Sequence, residues 1–237
     1  MSRAPLLVSL HLPKTAGTSF SDTLRAAHGA GYRDDYADLP MQHGVWTRRR
    51  HALRAGLALR GRLPEASCIH GHFLALKYRL ALGARPALWI TWMREPVQRL
   101  ASHYAFWLRD YDGRDPGQPL RNRMLSERWS FERFALGPEM RNVYRQYLWG
   151  MDPERFDFIG ITEHYDEDLG WLAPRIGGEA VASTALVNAE RGGEDYPIDP
   201  GLRARIERHH ADDLGLYRWA LERRECRGDG LLWHSGG

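Results

Sequence analysis

Residues 11–20, with the sequence HLPKTAGTSF, are of the types that hold a phosphate group. An apolar run at 6–10 precedes them, and an amphipathic segment that ends at Gly29 follows, which predicts a strand, a turn and a helix. Backbone N–H groups at the start of such a helix point towards an anion, and a lysine adds positive charge. The alternative is an ordinary capped turn with a lysine exposed to solvent. The residues expected to bind phosphate are Lys14, Thr15, Gly17, Thr18 and Ser19.

The lysine of this segment does not occupy the place that a Walker A loop requires. That motif has its lysine directly after a second glycine, whereas Lys14 precedes Gly17. Ser19 and Asp22 have the spacing of a capping box, which predicts that the helix starts near Thr18 or Ser19. The turn therefore differs from the phosphate loop of P-loop kinases.

Two histidines, His70 and His72, end the apolar segment 66–73. Side chains two residues apart on a strand face the same way, so the two rings could converge on one point. Three interpretations remain open at this stage. The histidines could be core residues satisfied by hydrogen bonds, two ligands of a metal ion with no recognisable third ligand, or a site that includes a general base. A pKa of about 6.5 suits an unperturbed imidazole to the last role.

Arg94 follows the clearest strand of the sequence, at 87–93, and Pro96 suits the first turn of a helix. Apolar residues at 97, 100, 101, 104, 107 and 108 predict a buried helical stripe, and Ser102 lies off it. Open α/β sheets bind ligands at the carboxyl ends of their strands. Arg94 and Ser102 could therefore grip a second phosphate, the arginine through two N–H groups. The alternative is an arginine that closes a helix–strand junction.

The remaining pattern alternates strands with helices. We predict helical pieces over 120–149 that break at 137–138, a strand at 156–162, a helix at 165–176, and helices from 200 to 213 and around 216–221. Glycines predict a loop at 187–193 and a loose tail over 226–237. Asp110-Tyr111-Asp112 has a D-x-D form, but its Gly/Pro/Asp-rich surroundings favour a solvated turn. The alternation predicts an α/β fold with a central, mostly parallel sheet flanked by helices, in one domain over 1–237.

A basic stretch at 48–62 predicts a further helix. Val45, Ala52, Leu53 and Leu57 can share one buried face, which would turn the arginines outward. Such a charge run is most simply a solvated helix face, and the alternative is a landing surface for an anionic acceptor.

Composition limits the class of protein. Hydrophobic residues make up 43% and charged residues 27% of the 237 residues, which is typical of a globular protein rather than a disordered one. The net charge of +3 is too weak to indicate a nucleic-acid partner. Cys68 and Cys226 are distant and do not indicate a disulfide framework. We find neither a signal peptide nor an apolar run of about 20 residues, so we expect a cytoplasmic protein without a membrane span.

Three blocks of the sequence resemble, in order, the PAPS-dependent carbohydrate sulfotransferases, the group that contains heparan sulfate 2-O-sulfotransferase. Residues 11–20 resemble the loop that binds the 5′-phosphosulfate, and residues 93–104 resemble the 3′-phosphate block. His70-Gly71-His72 resembles the segment whose histidines include the catalytic base. Weaker similarities lie at 142–150, 156–169, Asn188 and 213–217, so the likeness spans most of the chain except about 30–65 and 110–135.

The resemblance implies a P-loop-like three-layer fold and an enzyme that moves a sulfuryl group from PAPS (3′-phosphoadenosine 5′-phosphosulfate) to a hydroxyl group. It implies that one of the two histidines is the general base; we favour His72, with His70 in support, and expect Lys14 to stabilise the leaving phosphate. Lys14, Thr15, Gly17, Thr18 and Ser19 would bind the 5′ end of the donor, and Arg94 and Ser102 its 3′-phosphate. A saccharide is the favoured acceptor, with a hydroxylated small metabolite close behind, and no metal is expected. The rival functions are a P-loop kinase-like phosphotransferase and an inactive module that binds polyanions or sugars.

Overall fold

A five-stranded sheet runs through the part of the chain that the computed structural model describes, residues 5–109, 111–176 and 195–229. All neighbouring strands pair in parallel, in the order β2-β3-β1-β4-β5. Parallel neighbours need crossover connections, which helices supply here. This confirms the predicted α/β fold with a central parallel sheet flanked by helices. The strands are β1 (Leu6–Leu10), β2 (Tyr32–Asp35), β3 (Cys68–Gly71), β4 (Ala87–Met93) and β5 (Phe158–Ile161).

Helices connect and cover the strands. The broken helical region predicted between 120 and 149 is confirmed, with a 3₁₀ turn at Pro138–Met140 at the predicted break. The predicted loop at 187–193, Asn188, Asp110 and residues 230–237 lie outside the described residues. The predicted loose tail is wrong over its first residues, because Cys226–Asp229 form a 3₁₀ turn and Arg227 pairs with Asp168 at 3.3 Å. The α-helices are α1 (Gly17–His28), α2 (Val45–Leu59), α3 (Ala75–Leu82), α4 (Pro96–Leu108), α5 (Pro119–Ser126), α6 (Phe131–Ala135), α7 (Val143–Tyr147), α8 (Tyr165–Ile176), α9 (Pro200–His209) and α10 (Ala211–Glu225).

Both faces of the sheet are buried, which explains why its central strands are continuous apolar runs. In β1, Leu6, Val8 and Leu10 face one side, where α3, α7 and α10 pack. Leu7 faces the other side, where α1 and α8 pack. Helices α4, α5, α6 and α9 pack together around a further apolar cluster. Within the described ranges, no helix is both long and apolar enough to span a bilayer.

The strand order places a topological switch point at the central strand. β1 lies between β3 and β4, so the segments that follow these three strands emerge side by side at one edge of the sheet. Open α/β sheets bind ligands at this kind of edge. The three segments begin at His11, His72 and Arg94.

The start of α1 differs from the prediction. The helix begins at Gly17, and its N-cap residue Ala16 has a left-handed φ of 60° and no side-chain capping bond. Ser19 therefore lies inside the first turn, where it cannot serve as the N-cap, and the capping box predicted with Asp22 does not form.

The buried face of α2 is also not the predicted one. Arg48, Ala52 and Gly56 are buried, whereas Leu53 and Leu57 are 42% and 53% exposed. Small residues on this face let α2 approach α3 closely, because a Cβ added at Gly56 would lie 2.6 Å from the Lys77 carbonyl oxygen. Close backbone approach, rather than apolar side-chain volume, therefore decides which face is buried.

Candidate active site

A cavity of about 590 Å³ lies at the switch point of the sheet. It brings together six of the residues that the sequence singled out. Helix α4, the loop around 40–42, the start of α5 with the loop before it, and Tyr147 of α7 supply much of the rest of its wall. His70 and Thr15 do not line it, and the side chain of Thr18 lies outside the described structure. The six predicted residues in the lining are Lys14, Gly17, Ser19, His72, Arg94 and Ser102.

The turn before α1 presents backbone amides to this cavity. The first hydrogen bond of the turn into α1 runs from the Phe20 N–H to the Ala16 carbonyl, at 3.2 Å. The N–H groups of residues 17–19 precede it and are not needed by the helix. Lys14 and Ala16 both have positive φ values, 66° and 60°. Left-handed residues in such a turn aim successive amides at one point, which suits an anion.

Thr15 holds this turn from inside. Its side chain is fully buried, and its hydroxyl donates to the Leu12 carbonyl at 2.8 Å. The hydroxyl is therefore engaged within the protein, and only the backbone of Thr15 remains to meet a ligand.

The Lys14 ammonium group lies at the cavity beside an aromatic ring. Its Nζ atom is 4.2 Å from the ring centroid of Phe106 on α4. Burial lowers the pKa of Lys14, and the nearby charges of Arg109 and Arg94 lower it further. Three cations in one region repel each other, and an anion bound among them would relieve that repulsion.

Arg94 and Ser102 are both nearly buried, 7% and 8% exposed, and both line the cavity. The backbone of Arg94 is fixed by Tyr144, whose hydroxyl accepts from the Arg94 N–H at 3.0 Å and donates to the Arg94 carbonyl at 2.6 Å. Helix α4 starts directly after it, with Pro96 in the first turn and the Glu95 carboxylate accepting from the Gln98 N–H. These contacts fix the backbone of Arg94 just before α4, the helix that carries Ser102.

Three histidine rings stack at the ends of β1 and β3. The His11 ring lies between the other two, with ring centroids 4.1 Å from His72 and 5.1 Å from His70. His70 and His72 thus do converge on one place, which is the ring of His11. Among the described residues, no group of three or more His, Cys, Asp or Glu side chains could hold a metal ion.

His72 is oriented by a backbone carbonyl. Its Nδ1 atom lies 2.6 Å from the carbonyl oxygen of His11, which can only accept, so Nδ1 carries the proton. Neutral His72 therefore has its lone pair on Nε2. Burial lowers the pKa of His72; the hydrogen bond to His11 raises it, and the Arg48 charge lowers it. The ring is thus a neutral proton acceptor near pH 7.

His70 lies behind the stack. Its side chain is 1% exposed, and its Nδ1 atom is 2.8 Å from the Ser9 hydroxyl on the neighbouring strand. Burial, with the adjacent His72, lowers the pKa of His70 to about 4. Of the two histidines predicted from the sequence, only His72 reaches the cavity.

His11 is a functional candidate that was not predicted from the sequence. This residue follows β1 as His72 follows β3, so the rule that placed Arg94 at a strand end would also have found it. Its Nδ1 atom is 3.1 Å from the Tyr36 hydroxyl, and a Cβ added at Gly17 would lie only 1.7 Å from its Nε2. Gly17 therefore gives His11 the room to stack.

His103 is a second missed residue. It follows Ser102 on α4, lines the cavity and is 5% exposed. Its ring packs against Trp107 at 4.8 Å, and its Nδ1 atom has no hydrogen-bond partner among the described residues. Burial, together with the Arg99 charge, lowers the pKa of His103 well below 6.5, so this ring is neutral.

The second lysine of the chain, Lys77, does not line the cavity but anchors a loop that does. Its Nζ atom donates to Asp35 and Asp38, each at 2.6 Å, and all three side chains are nearly buried. Because Asp35 and Asp38 flank Tyr36 and lead into the loop that carries Met41, this ion pair fixes that loop against α3.

Comparisons with known proteins give a weak structural likeness. No protein-family model matches the chain, and no curated protein matches its sequence. The crystal structure of mouse sulfotransferase SULT7A1 complexed with PAP is similar with a TM-score of 0.37 and 11% identity. The match covers 87% of this chain and 64% of that one, so the chain spans less than two thirds of its length. Such a likeness carries no argument about activity, and the description of the fold stands on the observed strand order.

Proposed function

We propose that the protein is a sulfotransferase that moves a sulfuryl group from PAPS to the hydroxyl group of an acceptor. The observation that carries the proposal is the set of residues that line one cavity. Lys14 and the start of α1 provide one anion-binding group, Arg94 and Ser102 provide a second, and His72 provides a neutral base beside them. A donor with phosphates at both ends of a nucleoside fits two separate anion sites better than a triphosphate does.

The donor would be held by residues whose contacts suit each of its ends. The amides of residues 17–19 and the Lys14 ammonium group would hold the 5′-phosphosulfate. The Arg94 guanidinium and the Ser102 hydroxyl would hold the 3′-phosphate. When bound, PAPS supplies a sulfuryl group that is activated by its bond to a phosphate.

His72 would activate the acceptor. Its Nε2 atom takes the proton of the acceptor hydroxyl, while the carbonyl of His11 keeps the proton on Nδ1. Lys14 places positive charge where negative charge develops on the leaving phosphate. His11 keeps the ring of His72 in place by stacking on it, and His70 stacks on the other side of His11, so both would contribute to the position of His72.

A kinase-like phosphotransferase is disfavoured by the types of residue at the ends of the strands. Such enzymes hold Mg²⁺ with an acidic residue at a strand end near the phosphate loop. Among the described strands only β2 ends on an acidic residue, Asp35, and its carboxylate accepts from Lys77 Nζ at 2.6 Å and from the Tyr78 hydroxyl at 2.8 Å. This edge-strand carboxylate is committed to structure and does not line the cavity.

An inactive binding module is disfavoured by the geometry of His72. A site that only holds anions has no use for a neutral, half-buried base beside its cations. The resemblance to the carbohydrate enzymes favours a saccharide acceptor, with a hydroxylated small metabolite as the alternative.

Calorimetric titration with adenosine 3′,5′-bisphosphate (PAP) tests the proposal without knowledge of the acceptor. We expect one site per chain, with binding unchanged by excess chelator and at least tenfold weaker for ATP with Mg²⁺. Arg94→Ala should bind PAP more weakly. Arg50→Ala, which removes an arginine on the exposed side of α2, is its matched control and should bind PAP as the wild type does. Preference for ATP, or no binding of PAP, would contradict the proposal.

A further inference from the structure

Helix α2 carries four of the seven large apolar side chains that are exposed in the described part of the chain. Trp46 is 72% exposed, and Leu53 and Leu57 are 42% and 53% exposed. A rotation of about 100° per residue places these three side chains within roughly 40° of one another around the helix axis. They therefore form one apolar row along the outer side of α2, about 16 Å long at the usual helical rise.

The helix under this row is held firmly. Its buried face packs on α3, and the Arg48 side chain donates to the side-chain oxygen of Gln146 at 2.8 Å. The Arg49 guanidinium group lies 4.9 Å from the ring of Trp46 and 4.7 Å from the ring of Trp149. A cation–π contact thus holds the exposed ring of Trp46 in place. The exposure of the row is therefore a property of a fixed helix.

Arginines accompany the apolar row. Residues 39–64 contain six arginines and neither Asp nor Glu. Arg50 and Arg54 are exposed on α2, and in the described part of the chain neither forms an ion pair. The outer side of α2 thus combines apolar side chains with positive charge that no carboxylate of the protein neutralises.

A second, smaller cavity gives this charge a definite place. It has a volume of about 260 Å³, and Arg50 and Arg54 line it together with Thr47 and His51. The Asp38 carboxylate lies 3.8 Å from His51 Nε2, but it already accepts from Lys77 at 2.6 Å. Two arginines, a threonine and a histidine at one place suit a phosphate group.

The combination of the two features limits what could cover this face. A second copy of the same face would place arginine against arginine, which is unfavourable. A polyanion such as an acidic polysaccharide would match the arginines but would leave Leu53 and Leu57 without an apolar counterpart. The surface of an anionic bilayer offers phosphates to the arginines and an apolar layer to the leucines and Trp46.

We infer that the outer face of α2 binds the surface of an anionic phospholipid bilayer. Trp46, Leu53 and Leu57 enter the headgroup region, and the arginines beside them bind lipid phosphates. Such helices lie in the plane of the interface, and arginines on the polar side strengthen binding to anionic lipids. These residues do not line the cavity at the switch point, so the inference does not rest on the proposed sulfotransferase function.

Sedimentation of the protein with lipid vesicles tests the inference without PAP or an acceptor. The probes are vesicles of phosphatidylcholine alone and of an equal mixture of phosphatidylcholine and phosphatidylserine. We expect at least tenfold stronger partition into the mixed vesicles for the wild type, with a loss of binding in high salt. The double substitution Leu53→Ser and Leu57→Ser should lower this partition at least tenfold, because both side chains lose apolar contact. Arg54→Gln should lower it about fivefold.

Matched controls change the same residue types elsewhere on the surface. Leu108→Ser on α4, where Leu108 is 47% exposed, and Arg208→Gln, an exposed arginine of α9, should partition as the wild type does. All variants should keep the thermal midpoint and the PAP affinity of the wild type, because the changed side chains are exposed and lie outside the donor site.

Three outcomes would overturn the inference. The first is that the wild type binds neither kind of vesicle, or binds both equally. The second is binding that survives the leucine substitutions, or binding to dextran sulfate but not to vesicles, which would assign the face to a polyanion. The third is a dimer in sedimentation velocity that the leucine substitutions dissociate, together with no vesicle binding, which would assign it to a second copy. None of these results bears on PAP binding, so the proposed function stands or fails separately.

Discussion

The Nδ1 atom of His72 donates to the backbone carbonyl of His11 at 2.6 Å. This bond joins the ends of two neighbouring parallel strands, because His11 follows β1 and His72 follows β3. The sheet itself therefore sets the tautomer of His72. An imidazole fixed in this way presents a lone pair at Nε2 without any carboxylate partner.

Removal of the base should cost turnover but not donor binding. His72→Ala should lower kcat by about 10²–10⁴-fold, the usual contribution of a general base. Its affinity for PAP should stay within a few-fold of the wild type, because the phosphates contact other residues. Kinetics with PAPS and calorimetry with PAP measure the two effects separately, and a variant with normal turnover would remove His72 from the mechanism.

The pH profile should report a base with a lowered pKa. Burial holds the pKa of His72 below 6.5, so the ring stays neutral to lower pH, and the acid limb of kcat/KM should have its midpoint below 6.5. Arg48→Gln removes a charge that lowers this pKa, so its acid limb should move to higher pH. Arg50→Gln, which changes an exposed arginine of the same helix, should leave the midpoint in place. A wild-type midpoint above 6.5, or no acid limb, would contradict the assignment.

Loss of the two cations should affect different steps. Arg94→Ala should weaken PAP binding about 10–100-fold, since a hydrogen bond to a charged group contributes about 1.5–3 kcal/mol. Lys14→Ala should lose transfer altogether, because Lys14 acts where charge develops on the leaving phosphate. Calorimetry gives the first effect and single-turnover transfer gives the second. If Arg94→Ala bound PAP as tightly as the wild type, the second phosphate site would lie elsewhere.

A methyl group at Gly17 should disturb the histidine stack. The added Cβ would lie 1.7 Å from His11 Nε2, so the ring must leave its place against His72. We expect Gly17→Ala to lower kcat at least tenfold. Gly170→Ala is the matched control, because nothing lies within 4 Å of a Cβ there, and its thermal midpoint and kcat should not fall. Equal activity of the two variants would show that the stack does not matter.

Much of the architecture follows from apolar patterning, and the exceptions have physical causes. β1, β3, β4 and β5 are apolar runs because both faces of the sheet are covered. β2, with the sequence YRDD, is an edge strand in which only Tyr32 is buried. It lacks the apolar alternation from which a strand could be predicted. The buried face of α2 was predicted wrongly because Gly56 and Ala52, rather than its leucines, meet the neighbouring helix.

Those residues of the candidate site that lie at or near the ends of strands could be predicted from the sequence. His72 and Arg94 directly follow β3 and β4, Lys14 lies four residues after the end of β1, and short motifs carry all three. Other lining residues of the cavity could not be predicted in the same way, since Met41, Phe106 and Leu120 come from separate loops and helices that meet only in the fold. The role of Arg121 could not be predicted from the sequence either. Its guanidinium group donates to the backbone carbonyls of Trp107 and Arg109 at the end of α4.

The most direct test of the account is a transfer assay that offers the protein sulfur-labelled PAPS and phosphorus-labelled ATP, with Mg²⁺ and a mixture of hydroxyl acceptors. The account predicts labelled sulfur in the acceptor fraction, release of PAP in equal amount, no phosphorus label, and loss of the sulfur label in His72→Ala. Transfer of the phosphorus label instead, or no transfer of either label, would contradict it.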